Sequence, residues 1–214
     1  MTVIFPHIPK TGGTSLQEQL KMSGLKVFFD YVAPPGNGLS HQLKEQQLNE
    51  KCDQIDFADY DIVFGHFPIK RYSKSHYSYV TLVRDPLERA ISHYYYQISR
   101  VEKGIRLNDN QLKYSMKLVS GEISFFEFSK QWQFNQLYNR YLDYRDKNEF
   151  EIVGTTHEYP MFILKLNDLL GIKLDPAVQI RKREKTTIKI PEQDIEQTRL
   201  LLKNESDWYK DFIA

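Results

Sequence analysis

Cysteine is almost missing from this chain: of 214 residues only Cys52 is one. A lone thiol cannot close an intrachain disulfide or build a cysteine zinc site, and nothing calls for an oxidising compartment. Charge of one sign is lacking too. The 29 Lys and Arg residues face 28 Asp and Glu, for a net charge of +1. That balance excludes a polybasic surface as the dominant mode of nucleic-acid binding, though it leaves room for a local basic pocket. No apolar run approaches the roughly 20 residues that span a bilayer. The first apolar stretch, Val3 to Ile8, is short and leads straight into a glycine turn, which is not how a secretory leader reads. The expectation is a cytoplasmic protein with no membrane span and no nucleic-acid partner.

What the chain does have is material for a core. Hydrophobic residues make up 41%, with 14 Tyr and 13 Phe among them, which argues against disorder. The length fits one domain, expected over residues 1–214. Strands are predicted at Val3–Phe5, Val27–Phe29, Asp61–Phe64, Tyr79–Val83 and Glu151–Val153 from their apolar and β-branched composition. Between them lie helical spacings: Leu16 and Leu20, then Leu87, Ala90, Ile91, Tyr94 and Ile98, a mostly helical aromatic region from Asp109 to Tyr144, and a helix from His157 to Leu170. Ala33 to Gly38 reads as a loop, Ser40 to Cys52 as a polar helix, and two helices follow the basic segment Arg181 to Lys189. This alternation predicts an α/β fold around a mainly parallel sheet.

Two loops carry chemistry. After the first strand comes Pro9-Lys10-Thr11-Gly12-Gly13-Thr14-Ser15, a glycine turn opening a helix. Such a turn aims backbone N–H groups at one point, and the helix N-terminus adds partial positive charge. Gly12 and Gly13 permit close approach of a phosphate. Lys10 adds a mobile cation, and Thr11, Thr14 and Ser15 add hydroxyls. The order differs from a Walker A loop, in which Lys follows the last Gly and a Ser or Thr binds Mg²⁺. An ordinary strand–helix turn is the plainer reading of a bare Gly-Gly.

The second loop follows the fourth strand. Asp85 suits an N-cap, Pro86 the first helical position and Glu88 the third. Arg84 stands at the strand's carboxyl end, where ligands of open parallel sheets gather. Ser92 lies two turns into the helix, with Arg89 on the same face. Arg84 and Ser92 could share a phosphate, or Arg84 and Arg89 could pair with Asp85 and Glu88 as a surface network. Anion sites at the first and fourth strands together suit a ligand with two separated phosphates, such as an adenosine 3′,5′-bisphosphate.

These stretches resemble the PAPS-dependent sulfotransferases (PAPS, 3′-phosphoadenosine 5′-phosphosulfate), especially the heparan sulfate and uronyl 2-O-sulfotransferase branch and its bacterial relatives. Phe5-Pro6-His7-Ile8-Pro9-Lys10-Thr11-Gly12-Gly13-Thr14-Ser15-Leu16 is similar to that family's 5′-phosphosulfate loop. Leu82-Val83-Arg84-Asp85-Pro86-Leu87-Glu88-Arg89-Ala90-Ile91-Ser92-His93-Tyr94 is similar to its 3′-phosphate motif. Gly65-His66-Phe67 resembles the segment carrying the catalytic histidine, and Lys185-Thr186-Thr187-Ile188-Lys189-Ile190-Pro191 the loop that closes over the nucleotide. Val153-Gly154-Thr155-Thr156-His157 resembles a later segment that more often ends in Thr-Glu. The resemblance implies a P-loop-like three-layer fold with helices on both sides of the sheet, PAPS as co-substrate, adenosine 3′,5′-bisphosphate (PAP) as product, and no metal. Lys10 and the backbone from Thr11 to Ser15 would hold the 5′-phosphosulfate, Arg84 and Ser92 the 3′-phosphate, and Thr186 and Lys189 would help cover the nucleotide. The acceptor would be a hydroxyl, most readily of a saccharide or glycan. Two departures concern the animal glycan substrate: Phe64 stands where those 2-O-enzymes have a second histidine, and the membrane anchor and extra cysteines of the Golgi members are absent.

The chemistry needs a base and a cation. His66, just past a strand end, has an ordinary pKa near ~6.5 that suits a general base. Lys10 can stabilise charge on the departing phosphate. Of the other histidines, His7 reads as packed, His41 and His76 as exposed, and His93 as a helix-surface residue. Asn135, Asn139, Arg140, Tyr141 and Arg145 form a candidate acceptor face or a solvated helix side, and Arg181 to Arg183 could meet an acidic acceptor. The competing functions are a P-loop nucleotide kinase, which should show Walker A order and an acidic Mg²⁺ ligand, and a catalytically silent nucleotide- or glycan-binding module.

Overall fold

The computed structural model describes residues 1–31, 46–47, 50, 52, 56–72, 76–105, 107–178 and 188–214. The expected loop at Ala33–Gly38, most of the helix at Ser40–Cys52, and the basic run from Arg181 through Thr186 lie outside the described residues. Among the described residues five strands form one sheet: β1 (Thr2–Pro6), β2 (Val27–Asp30), β3 (Ile62–Gly65), β4 (Tyr77–Val83) and β5 (Ile152–Thr155). Their order is β2-β3-β1-β4-β5, and every pairing is parallel. The helices are α1 (Gly13–Met22), α2 (Pro86–Glu102), α3 (Asp109–Val119), α4 (Phe125–Gln131), α5 (Leu137–Leu142), α6 (Tyr159–Leu170), α7 (Glu192–Leu201) and α8 (Lys203–Ile213). This is the α/β architecture with a parallel sheet that the alternating pattern predicted. Among the described residues no helix is long and apolar enough to cross a membrane.

The apolar runs of β1 and β3 follow from burial on both faces, as parallel strands require. Val3, Phe5, Phe64 and Leu82 face one way and pack with Leu16 and Leu20 of α1 and with Phe162, Ile163 and Leu166 of α6. Ile4 and Val63 face the other way, onto Phe57, Phe67 and Tyr72. Gly154 in β5 is a packing choice: a Cβ there would sit 2.3 Å from the Phe162 ring.

The described residues fall into two compact units. The first comprises the described parts of Met1–Arg84, Tyr138–Arg181 and Asp211–Ala214, and holds the sheet; the second comprises those of Asp85–Leu137 and Lys182–Lys210. The chain leaves the first unit after β4 and returns at α5, so no single cut in the sequence separates them.

In the second unit the predicted stripe of α2 is buried: Ala90, Tyr94 and Ile98 pack with Leu118, Phe125, Phe128, Phe134 and Leu202. The predicted start of α2 is also found, with the Asp85 carboxylate accepting from Glu88 N–H at 3.0 Å and Pro86 in the first turn. Ser124 and Glu127 form a full capping box on α4. Two expectations for α2 are corrected here. Arg89 belongs to no surface network: it is 1% exposed, pairs with the fully buried Glu205 at 3.7 Å and sits over the Phe134 ring. His93 is likewise buried, with its Nε2 3.1 Å from Gln97 Nε2 and its ring 4.5 Å from Trp132. Both turn inward because aromatic residues of α4 and the following turn fill that side of α2.

In the first unit a buried ion pair ends β2. Asp30 accepts from Arg71 Nη1 at 2.6 Å and from the Tyr72 hydroxyl at 3.0 Å. Tyr72 is held protonated, burial first and the neighbouring Asp30 charge second raising its pKa. Arg71→Met strands a carboxylate in the interior and is expected to cost about 3–5 kcal/mol, read from urea unfolding. A loss below about 1 kcal/mol would mean that the remaining partners of Asp30, Tyr72 among them, satisfy it without Arg71.

Candidate active site

The carboxyl ends of β1, β3 and β4 lie side by side, because β1 sits between the other two. From β1 the chain first builds β2 and β3 on one side, then β4 and β5 on the other. That reversal leaves a crevice at the strand ends where ligands of such sheets bind.

The loop after β1 is tightly wound. Lys10 adopts φ 71° and Gly12 φ 92°, both left-handed. For lysine this conformation costs about 1–3 kcal/mol, and such strain concentrates at binding loops. Gly12 is the N-cap of α1, so no side chain caps that end, and no acidic residue lies in the first turn. The N-terminal N–H groups and helix dipole are thus without the carboxylate that usually complements them. Gly13 has a packing reason as well, since a Cβ there would fall 1.9 Å from His7 Nε2. Thr14 is exposed, while Lys10 and Ser15 are half-buried. Thr11 departs from expectation: it is fully buried, and its hydroxyl donates to the Ile8 carbonyl at 2.8 Å. That hydroxyl braces the loop from within, so what Thr11 can offer a ligand is its backbone N–H.

His66 is built from the ladder beside it. Pro6 pairs with Gly65, and the pairing continues one residue further, with His7 N–H donating to the Gly65 carbonyl at 2.7 Å and His66 N–H to the Asp30 carbonyl at 2.8 Å. Gly65 lets β2 come this close, because a Cβ there would sit 1.9 Å from the Asp30 oxygen. The His66 ring then bonds back to β1 through Nδ1, 2.6 Å from the His7 carbonyl oxygen. A carbonyl can only accept, so Nδ1 carries the proton and Nε2 the lone pair of the neutral ring. The His7 ring stacks on it, centroids 4.6 Å apart, while Tyr31 and Tyr141 meet it edge-on at 4.8 and 6.3 Å.

Burial sets the charge of this pair. Desolvation lowers the His66 pKa below its ordinary value, partly opposed by the bond to the His7 carbonyl. His7 is lowered further, by burial first and then by the charges of His66 and Lys10. Two stacked, desolvated imidazoles beside a lysine are neutral near pH 7. The expectation that His7 is packed is met, with its Nδ1 3.4 Å from the Tyr31 hydroxyl.

At the end of β4, Arg84 is half-buried, and its Nη1 reaches the Lys10 carbonyl at 3.5 Å. The loops after the first and fourth strands therefore meet within one unit. The fully buried Tyr138 holds the Arg84 main chain through its hydroxyl. Ser92 and Lys189 belong to the second unit, Ser92 half-buried on α2 and Lys189 exposed; Thr186 lies outside the described residues.

The candidate acceptor residues of the first unit point to different partners. Tyr141 is buried against His66, whereas Arg145 lies over the Tyr79 ring at 5.1 Å and pairs with Glu149 at 3.3 Å. Asn139 is exposed and Arg140 half-buried, and Asn135 belongs to the second unit. His76 is exposed beside Asp56, and His157 is exposed past β5. Among the described residues no three His, Cys, Asp or Glu side chains gather as metal ligands. Sequence reasoning missed Asp30, Tyr31 and Tyr138. Of these only Asp30, an acid closing an apolar strand, left a signal.

No curated protein matches the chain in sequence. Solved structures similar to it include a sulfotransferase from Alicyclobacillus acidocaldarius, 12% identical, with 97% of this chain and 98% of that one covered at a TM-score of 0.43. The mouse sulfotransferase SULT7A1, complexed with PAP, is 14% identical over 81% of this chain, at a TM-score of 0.37. A retinol dehydratase in complex with retinol and PAP is 14% identical over 99% of this chain, at a TM-score of 0.35. The chain spans 60% of the length of the mouse protein and 65% of that of the retinol dehydratase. The model of the sulfotransferase family, by contrast, matches residues 2–198. With strand, glycine loop and strand-end arginine all inside that match, the chain belongs to the sulfotransferase family.

Proposed function

We propose that this protein transfers a sulfuryl group from PAPS to a hydroxyl acceptor, with His66 as general base and Lys10 stabilising the leaving phosphate. The observation that carries the reading is the His66 Nδ1 bond to the His7 carbonyl. It leaves a neutral imidazole with its Nε2 lone pair available, at the strand ends where Lys10 and Arg84 also lie. The donor set suits the nucleotide: a capless helix N-terminus and a cation after β1 for the phosphosulfate, and a planar guanidinium after β4 for a phosphate.

In this scheme His66 Nε2 takes the acceptor's hydroxyl proton as its oxygen bonds to sulfur. The bond from sulfur to the bridging phosphate oxygen breaks, and that oxygen keeps the electron pair. Lys10 and the backbone N–H groups from Thr11 to Ser15 neutralise the charge that accumulates there, each charge-assisted bond contributing about 1.5–3 kcal/mol. Arg84 is assigned to the 3′-phosphate. Ser92, Thr186 and Lys189 are assigned to the nucleotide on sequence resemblance alone. A carbohydrate acceptor, of the kind handled by 2-O-sulfotransferases, rests on that resemblance too.

Three outcomes are expected. With labelled PAPS and a panel of polysaccharides and small alcohols, His66→Ala should lower transfer by about 10²–10⁴-fold while PAP affinity stays nearly unchanged; a large loss of nucleotide binding would make the residue structural instead. As for pH, only the neutral imidazole accepts a proton and its pKa is lowered in the fold. The kcat/KM profile should therefore rise with pH through a midpoint below ~6.5 and then level; a midpoint above that value would sink the assignment. Arg84→Ala should weaken PAP far more than adenosine 5′-phosphate in calorimetric titration, and equal weakening would refute its role.

A further inference from the structure

A hydroxyl far away in the sequence holds the arginine assigned to the 3′-phosphate. β4 pairs with β5 as far as Val83 with Thr155, and Thr156 N–H still donates to the Val83 carbonyl at 3.0 Å. Arg84 is the next residue. There the Tyr138 hydroxyl meets both of its peptide groups, accepting from Arg84 N–H at 3.0 Å and donating to the Arg84 carbonyl. Tyr138 is fully buried, at 0% exposure, and it lies 54 residues further along the chain. One side chain thus supplies the donor and the acceptor that a neighbouring strand would otherwise give.

The helix carrying Tyr138 is itself tethered. Tyr141 stands three residues on, so the two rings share a face of α5. Tyr141 is 2% exposed and sets its ring edge-on to His66. The Tyr138 hydroxyl therefore has a fixed position relative to the base, and it transmits that position to the Arg84 backbone. The guanidinium already leans back on the first loop, through Nη1 to the Lys10 carbonyl. A fork that binds an anion through two parallel bonds needs its origin placed to within about half an ångström.

We propose that Tyr138 is a positioning residue for 3′-phosphate recognition, acting through the main chain of Arg84. This rests on the assignment of Arg84 made above. Tyr138→Phe keeps the ring and removes only the hydroxyl, so the arginine keeps its charge and loses its placement.

The test is calorimetric titration of PAP and adenosine 5′-phosphate into the full chain, for the wild type, Tyr138→Phe, Arg84→Ala and the double variant. Tyr138→Phe is expected to weaken PAP about tenfold and adenosine 5′-phosphate less than about twofold. In the Arg84→Ala background the same change should have no further effect on PAP, because the route runs through that arginine. Equal weakening of both nucleotides, additive losses in the double variant, or a lowered Tm with the nucleotide ratio intact would each overturn the proposal. A wild type that binds the two nucleotides equally would instead bring down the assignment of Arg84, before any Tyr138 variant is made.

Discussion

At the carboxyl edge of the sheet, the main-chain oxygen of His7, just past β1, and a ring nitrogen of His66, just past β3, lie 2.6 Å apart. The contact between His7 and His66 is possible because the two strands pair in parallel, Pro6 with Gly65. It assigns the tautomer and turns Nε2 away from the His7 carbonyl. If the register of β1 on β3 slipped by one residue, the carbonyl would face elsewhere and the His66 ring would lose its orientation. The apolar side chains of both strands oppose such a slip, since Phe5 and Phe64, which share a face, would be put on opposite ones.

Behind this contact stands a chain of buried support. Arg71 and Tyr72 hold the Asp30 carboxylate, and the Asp30 carbonyl takes the backbone N–H of His66. A charged pair in an interior is weak evidence for stability, because desolvation offsets much of the attraction. Here it has a second consequence, since it fixes the strand end to which the His66 backbone is bonded. Gly65 and Gly13 play matching parts. Each leaves out a Cβ where another group must come close, the Asp30 oxygen in one case and the His7 ring in the other.

The electrostatics follow from the same packing. Lys10 sits in a strained left-handed conformation at a helix start that has no acid of its own. The His7 ring lies against that loop and stacks on His66; burial lowers the pKa of both, and the charges of His66 and Lys10 lower His7 further. The loop thus carries a cation at an acid-free helix start, and the His66 ring past the neighbouring strand has its pKa lowered by burial.

Much of this was legible in the residues themselves. The five strands, the glycine loop, the N-cap of α2 and the strand-end positions of Lys10, His66 and Arg84 are local features, written in short apolar runs and in turn chemistry. His93 and Arg89 were misjudged because helical periodicity says which residues share a face and not what covers it. Aromatic residues from α4 onward and Glu205 cover that face. Thr11 looked like a ligand donor, and only the path of the loop shows its hydroxyl turned to Ile8. Tyr138 carried no signal, since a tyrosine in an aromatic helix looks like core. The sequence by itself determined the elements and the residue types at their ends, because these depend on neighbours a few positions apart. Tertiary structure decided the tautomer of His66, the partner of Asp30 and the anchor of Arg84, because each depends on groups 41 to 59 residues away that meet only when the sheet closes.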